Sequence, residues 1–173
     1  DELVFDGGSF ALNSRGNLAW RLPQFQEELA IIQFDGDCVT DRISAITSVE
    51  DQVYRALVLG VKDYVGKNGF PGAIIGLSGG VDSALVLAIA VDALGADRVR
   101  AVMMPSRYTA DISWLDAREM ANQLGVQYDE IPIGPMFEAF EQSLSKEFAG
   151  LAVDATEENI QARIRSEEHT SEL

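Results

Sequence analysis

Gly76-Leu77-Ser78-Gly79-Gly80-Val81-Asp82-Ser83 lies directly after the apolar run Ala73-Ile74-Ile75 and directly before the apolar residues 84–94. That order reads as strand, small-residue loop, helix. It aims several backbone N–H groups at one spot and adds the positive end of a helix dipole, so the spot suits phosphate. The loop lacks the lysine of G-x-x-x-x-G-K-[ST] and does not match G-x-G-x-x-G, which disfavours kinase-like and dinucleotide-fold loops. What remains is Ser-Gly-Gly-Val-Asp-Ser. Glycine permits close approach of backbone to ligand. Ser78 and Ser83 carry hydroxyls able to donate to phosphate oxygens. Asp82 would repel phosphate unless a cation lies between them, so its best role is as a Mg²⁺ ligand. The plain alternative is a tight strand-to-helix turn with Asp and Ser as caps.

Working outward, residues 73–165 predict a βαβαβα pattern. Strand 73–77 leads through the loop to a helix over 82–94, stopped by Gly95. Strand 99–104 ends at Pro105. A helix over 112–124 closes at Gly125, strand 126–133 follows, and then a helix from about 135 to 148. A last helix over about 156–165 takes Thr156 as its cap. Alternation of this length implies a parallel sheet with right-handed crossovers, whose ligands bind beyond the carboxyl ends of the strands. The loop and Pro105-Ser106 both lie at such ends.

Upstream, Ser48 followed by Asp51 marks a helix start. Val49, Val53, Ala56, Leu57, Gly60, Val61, Tyr64 and Val65 keep helical spacing until Asn68-Gly69. Residues 1–35 read as short strands at Leu3-Val4-Phe5, 9–12, 18–20 and 29–34, punctuated by Asp6-Gly7-Gly8 and Asn13-Ser14-Arg15-Gly16-Asn17. So small a piece cannot bury a sheet face alone, so it reads as the end of a larger β domain. Residues 36–47 read as a linker.

The 173 residues carry a formal net charge of −15, which argues against nucleic-acid binding or docking on anionic membrane. One cysteine, Cys38, excludes an internal disulfide and suits a reducing compartment. No stretch approaches the roughly 18 consecutive apolar residues of a membrane span. No signal peptide is visible, and the missing initiator Met suggests that Asp1 is not the natural start.

Ser78-Gly79-Gly80-Val81-Asp82-Ser83 resembles the signature of the N-type ATP pyrophosphatases. These cleave ATP between the α and β phosphates, adenylate an oxygen of their substrate and release pyrophosphate. Two further stretches resemble glutamine-dependent NAD synthetases: Val102-Met103-Met104-Pro105-Ser106-Arg107-Tyr108 and Glu157-Glu158-Asn159-Ile160-Gln161-Ala162-Arg163-Ile164-Arg165. The opening Asp1-Glu2-Leu3-Val4-Phe5-Asp6-Gly7-Gly8-Ser9 is similar to the late strands of the nitrilase-type glutaminase domain that precedes the synthetase in that family. The resemblance covers nearly all of residues 1–165.

The resemblance implies an α/β fold, a Rossmann-like parallel sheet of the ATP pyrophosphatase (adenine nucleotide alpha hydrolase-like) type behind a short β remnant of a nitrilase-like domain. Residues 1–35 would be that remnant, 36–47 the linker and 48–165 the start of the synthetase domain. The implied ATP site is Gly76, Leu77, Ser78, Gly79, Gly80, Val81, Asp82, Ser83 and Met104, with Mg²⁺ on Asp82. Asn159 and Arg163 are the implied deamido-NAD contacts; a solvated helix face is the alternative for them. The implied substrates are ATP, deamido-NAD and glutamine or ammonia, in a cytoplasmic ligase that assembles as a homo-oligomer. Some members carry a basic residue near Met103, and this chain does not. Cys38 lacks the Glu-Lys context of a glutaminase nucleophile and reads as a bystander, with the true nucleophile expected upstream of Asp1. No catalytic side chain is assigned within the chain. Residues 166–173, Ser-Glu-Glu-His-Thr-Ser-Glu-Leu, resemble read-through of a sequencing adapter, which would leave His169 without a role. The chain is then an internal fragment, expected to be inactive or weakly nucleotide-binding and, with open sheet edges, poorly soluble. The rival readings are another ATP pyrophosphatase, such as a tRNA thiolase or another amidotransferase synthetase, and a nucleotide-binding module without ligase activity.

Overall fold

The computed structural model describes residues 3–36, 42–146 and 155–165, with residues 155–158 as backbone alone. Cys38 and the tail 166–173 lie outside the described residues. The chain forms two compact units, Asp1–Pro71 and Gly72–Leu173.

In the first unit, β1 (Phe10–Leu12) and β2 (Leu18–Arg21) form an antiparallel hairpin with Ala11 opposite Trp20. Its turn is held by Asn13, whose Oδ1 accepts from the amides of Arg15 at 3.0 Å and Asn17 at 2.9 Å. Such Asx geometry is why Asn punctuates hairpins. Leu3–Phe5 and 29–34, expected as strands, are not strands here; near the first of them only an isolated bridge, Gly7 to Gln24, is made. Alternation marks a candidate strand, but a strand exists only where a partner lies alongside. Part of the expected linker finds such a partner: the Arg21 amide donates to Arg42 O at 2.9 Å, and Ser44 N donates to Arg21 O at 3.0 Å.

Helix α1 (Val49–Lys67) starts where the sequence places it. Ser48 is the N-cap and its Oγ accepts from the Asp51 amide at 3.3 Å. Its apolar stripe is not sealed: Val53 is 54%, Leu57 48% and Tyr64 54% exposed, and only Val65 is buried.

The second unit carries β3 (Ala73–Gly76), α2 (Val81–Leu94), a 3₁₀ turn (Ala96–Arg98), β4 (Val99–Met103), α3 (Asp111–Leu124), β5 (Gln127–Glu130), α4 (Gly134–Ser143) and α5 (Ala155–Arg165). The strands form one parallel sheet in the order β3-β4-β5, with Gly76 beside Val102 and Met103 beside Glu130. Sequential order with helical crossovers is the arrangement the alternating pattern implies. Along β4, Val99, Ala101 and Met103 turn inward onto Leu77 and Leu87 and onto the small faces of Ala90, Ala117 and Ala121, while Arg100 turns outward and pairs with Asp129 at 2.6 Å. Alanines on both helices allow α2 and α3 to lie close over the sheet. Gly125 ends α3 in the left-handed conformation, φ 68°, and Val126 N closes back on Ala121 O at 3.2 Å.

Beyond shifts of a single residue, three boundaries differ from the sequence expectation. Strand 126–133 contracts to β5, because beyond Glu130 there is no longer β4 strand to pair with; Ile131 N still reaches Met103 O at 2.8 Å. The helix expected to reach Phe148 ends at Ser143, and residues 147 and 148 lie outside the described residues. Helix α5 is already under way at Ala155, so Thr156 is inside the helix rather than its cap.

Candidate functional site

The glycine loop leaves the sheet at its carboxyl end. Leu77 continues the sheet by one bond, its amide donating to Val102 O at 2.8 Å, and is buried at 2% exposure. Gly80 is the N-cap of α2, at φ −90° and ψ 157°, and supplies no side-chain cap. The first-turn amides of Val81, Asp82 and Ser83 have no acceptor within the helix.

Within the loop the two serines bond to each other. Ser83 Oγ donates to Gly80 O at 2.9 Å and accepts from the Ser78 amide at 3.1 Å. A hydroxyl has one hydrogen, so in the 3.0 Å Ser78–Ser83 contact Ser78 is the donor; its Oγ also accepts from the Gly80 amide at 3.3 Å. Both hydroxyl hydrogens are therefore engaged in shaping the loop. The donors the loop offers an anion are the first-turn amides rather than the serine hydroxyls.

Gly79 sits at φ 81°, in the left-handed region. A Cβ there would lie 2.3 Å from Ser113 O and 2.6 Å from Ser113 Cα. The first turn of α3 is thus pressed against the loop. Gly79 is required for that contact.

Beyond the carboxyl ends of β3 and β4 lies a cleft of about 470 Å³, a size suited to a small-molecule ligand. Gly76, Leu77 and Ser78 line it from the loop, and Val102, Met103 and Met104 from the end of β4. Of the sequence-predicted ATP residues, these bring Gly76, Leu77, Ser78 and Met104 together. Gly79, Gly80, Val81, Asp82 and Ser83 continue the same loop into α2. Beyond the end of β4, five lining residues escaped the sequence reading: Tyr108, Thr109, Ala110, Ser113 and Arg165. The first two belong to a turn that Ser106 and Thr109 close on each other, with Ser106 N donating to Thr109 Oγ1 at 2.9 Å and Thr109 N to Ser106 O at 3.0 Å. The Ser-x-x-Thr spacing was its signal. Arg107 braces this turn from outside, paired with Glu141 at 2.6 Å and stacked on the Tyr108 and Phe137 rings at 5.0 and 4.8 Å.

Asp82 is exposed in the first turn of α2. Among the described residues no three Asp, Glu, His or Cys side chains gather to hold a metal. A single carboxylate fits Mg²⁺ when phosphate oxygens and water complete the octahedron. Asn159 and Arg163 sit one turn apart on α5, exposed, and line no part of the cleft; Arg165, two residues further on, does. Among the described residues no helix is long and apolar enough to cross a membrane.

Fold and sheet topology define an α/β protein with a Rossmann-like parallel sheet, the fold of the NAD synthetases to which it is similar in structure. The NAD synthase family model matches residues 53–170, and the chain belongs to that family. The chain is 46% identical over 169 residues to a glutamine-dependent NAD(+) synthetase of Synechocystis sp., a match covering 95% of this chain and 30% of that protein. It is 47% identical to the corresponding synthetase of Acinetobacter baylyi, covering 95% of this chain and 31% of that protein. Among solved structures, the glutamine-dependent NAD+ synthetase of Acinetobacter baumannii in complex with ADP superposes with a TM-score of 0.92 at 46% identity, over 95% of this chain and 32% of that one. The NMN synthetase of Francisella tularensis gives a TM-score of 0.61 at 29% identity, over 69% of this chain and 48% of that one. The chain spans about 30% of the length of the curated relatives it matches. The family match begins inside α1, whereas the compact units divide after Pro71.

Proposed function

We propose that this chain is part of an ATP-dependent NAD(+) synthetase that adenylates deamido-NAD and amidates it with ammonia drawn from glutamine. The observation that carries the reading is the glycine loop at the N-terminus of α2, opening on the same cleft as the end of β4, in a chain of the NAD synthase family. A carboxylate becomes a useful electrophile once one oxygen is made a leaving group. In the proposed reaction a nicotinate carboxylate oxygen bonds to the α-phosphorus of ATP and pyrophosphate departs. Ammonia then bonds to the acyl carbon and AMP departs. Such chemistry asks mainly for positioning and for neutralisation of phosphate charge. Amides at the start of α2 would hold phosphate oxygens, and Met104 would border the adenosine. Asp82 would hold Mg²⁺, which when bound supplies positive charge at the phosphates. Asn159 and Arg163 would meet deamido-NAD, Arg163 through the fork that suits a phosphate or carboxylate.

We assign residues 1–35 to the end of a glutaminase domain, 36–47 to a linker and 48–165 to the synthetase part. Membership of the NAD synthase family favours this reading over a tRNA thiolase or a binding module without ligase activity. The test is pyrophosphate release by the full-length product of the gene from which this chain derives. Release from ATP that depends on deamido-NAD is expected. Release that depends instead on tRNA, or none with an active preparation that still binds ATP, would overturn it.

A further inference from the structure

Arg165 closes α5 and reaches back to the sheet. Its Nε donates to the Met104 carbonyl at 3.1 Å, across 61 positions of chain. Through that bond the last turn of α5 is tied to the end of β4, at the rim of the cleft. Arg165 lines the cleft together with Gly76, Leu77 and Ser78, and among the described residues it is the one charged side chain of the lining. The rest of the lining offers an anion little: apolar carbons, a tyrosine, a threonine, and serines of which Ser78 is already engaged with Ser83. The loop carries no lysine, and the chain as a whole bears a net charge of −15. A polyphosphate entering this cleft therefore meets repulsion at long range, which a fixed cation at short range would offset beside the first-turn amides of α2.

A guanidinium anchored by Nε has its orientation set while its two Nη groups retain donors for a second partner. That fork matches two oxygens of a phosphoryl group. We infer that Arg165, held by the Met104 carbonyl, is a phosphoryl-binding residue of the cleft. The phosphoryl group comes either from ATP or from the diphosphate of the dinucleotide substrate. The inference rests on the nucleotide reading above and adds to it a residue on α5 that reads both the strand end and the ligand charge.

The experiment measures equilibrium binding of ATP, adenosine and deamido-NAD by the full-length protein, unmodified and as Arg165→Gln and Arg165→Lys. For Arg165→Gln, ATP or deamido-NAD binding is expected to weaken about tenfold or more, with adenosine within about twofold. The ligand that suffers identifies the source of the phosphoryl group. Arg165→Lys, which keeps the charge but not the fork, is expected to fall between. Equal weakening of ATP and adenosine would mean that Arg165 only props the cleft and would overturn the inference, as would unchanged binding of all three ligands. If Arg165→Gln does not fold, the lysine variant decides: a selective loss for the phosphorylated ligands supports the inference, and an equal loss for adenosine overturns it. Failure of the unmodified protein to bind ATP at all would instead overturn the nucleotide reading itself.

Discussion

Replacing Gly79 by alanine tests the packing of the loop most directly. The added Cβ acts in two ways. At φ 81° an L-residue is forced into the left-handed region, at about 1–2 kcal/mol. The same Cβ would stand 2.3 Å from Ser113 O, 2.6 Å from its Cα and 2.8 Å from its carbonyl carbon. All three are backbone atoms in the first turn of α3, so no side chain can swing aside. The helix start must retreat by about an ångström, an overpacking cost of about 1–3 kcal/mol. Together Gly79→Ala should lose about 2–5 kcal/mol, a large part of the ~5–15 kcal/mol of a typical domain. Gly80→Ala is the internal control. Gly80 lies at φ −90°, and its added Cβ would meet only Ser78 Oγ, at 3.4 Å. Its cost should stay near 1 kcal/mol or below, roughly that of a poorer N-cap. Urea unfolding followed by far-UV circular dichroism measures both. The reasoning fails if Gly79→Ala stays within about 0.5 kcal/mol of the unmodified chain, or if the two substitutions cost the same.

Asp82→Asn should leave stability within about 1 kcal/mol, since the side chain is exposed and contributes chiefly its charge at the start of α2. The same change should cut Mg²⁺-dependent pyrophosphate release by the full-length protein about a hundredfold or more, and a smaller loss would remove Asp82 from the metal site. Ser48→Ala removes the acceptor for the Asp51 amide and should destabilise by about 1 kcal/mol, readable in thermal unfolding; no change would show that the cap bond at 3.3 Å is inert. Burial, and then the hydrogen bond with Glu130, push the Tyr128 phenol up to about 12. The raised value means that the folded state holds its proton more tightly. The resulting stability is complete below about pH 10 and is lost as pH rises through about 12. Absorbance at the phenolate band should show one late-titrating tyrosine that Tyr128→Phe removes; its persistence would assign the late step elsewhere.

Much of the fold is legible in local order because local order carries it. A β-branched run, a glycine loop and an apolar stretch allow little but strand, turn and helix. Ser48 with Asp51 three residues on names a cap, and Gly125 names a left-handed helix end. The misread strands have one cause. Residues 29–34 have the composition of a strand, but pairing depends on a partner elsewhere in the chain. Helical spacing along α1 shows which residues share a face, and cannot say what covers Val53, Leu57 or Tyr64.

The candidate site divides in the same way. From sequence alone came the parallel α/β pattern, the glycine loop between strand and helix and the family it resembles, since each is written in contiguous residues. Tertiary structure alone decided that Ser78 and Ser83 bond to one another, that Gly79 must yield to the backbone of α3, and that Arg165 rather than Arg163 reaches the cleft. Those three depend on which distant segments meet. Two residues along a helix turn a side chain through about 200°, and only the packed chain shows which direction faces the cleft.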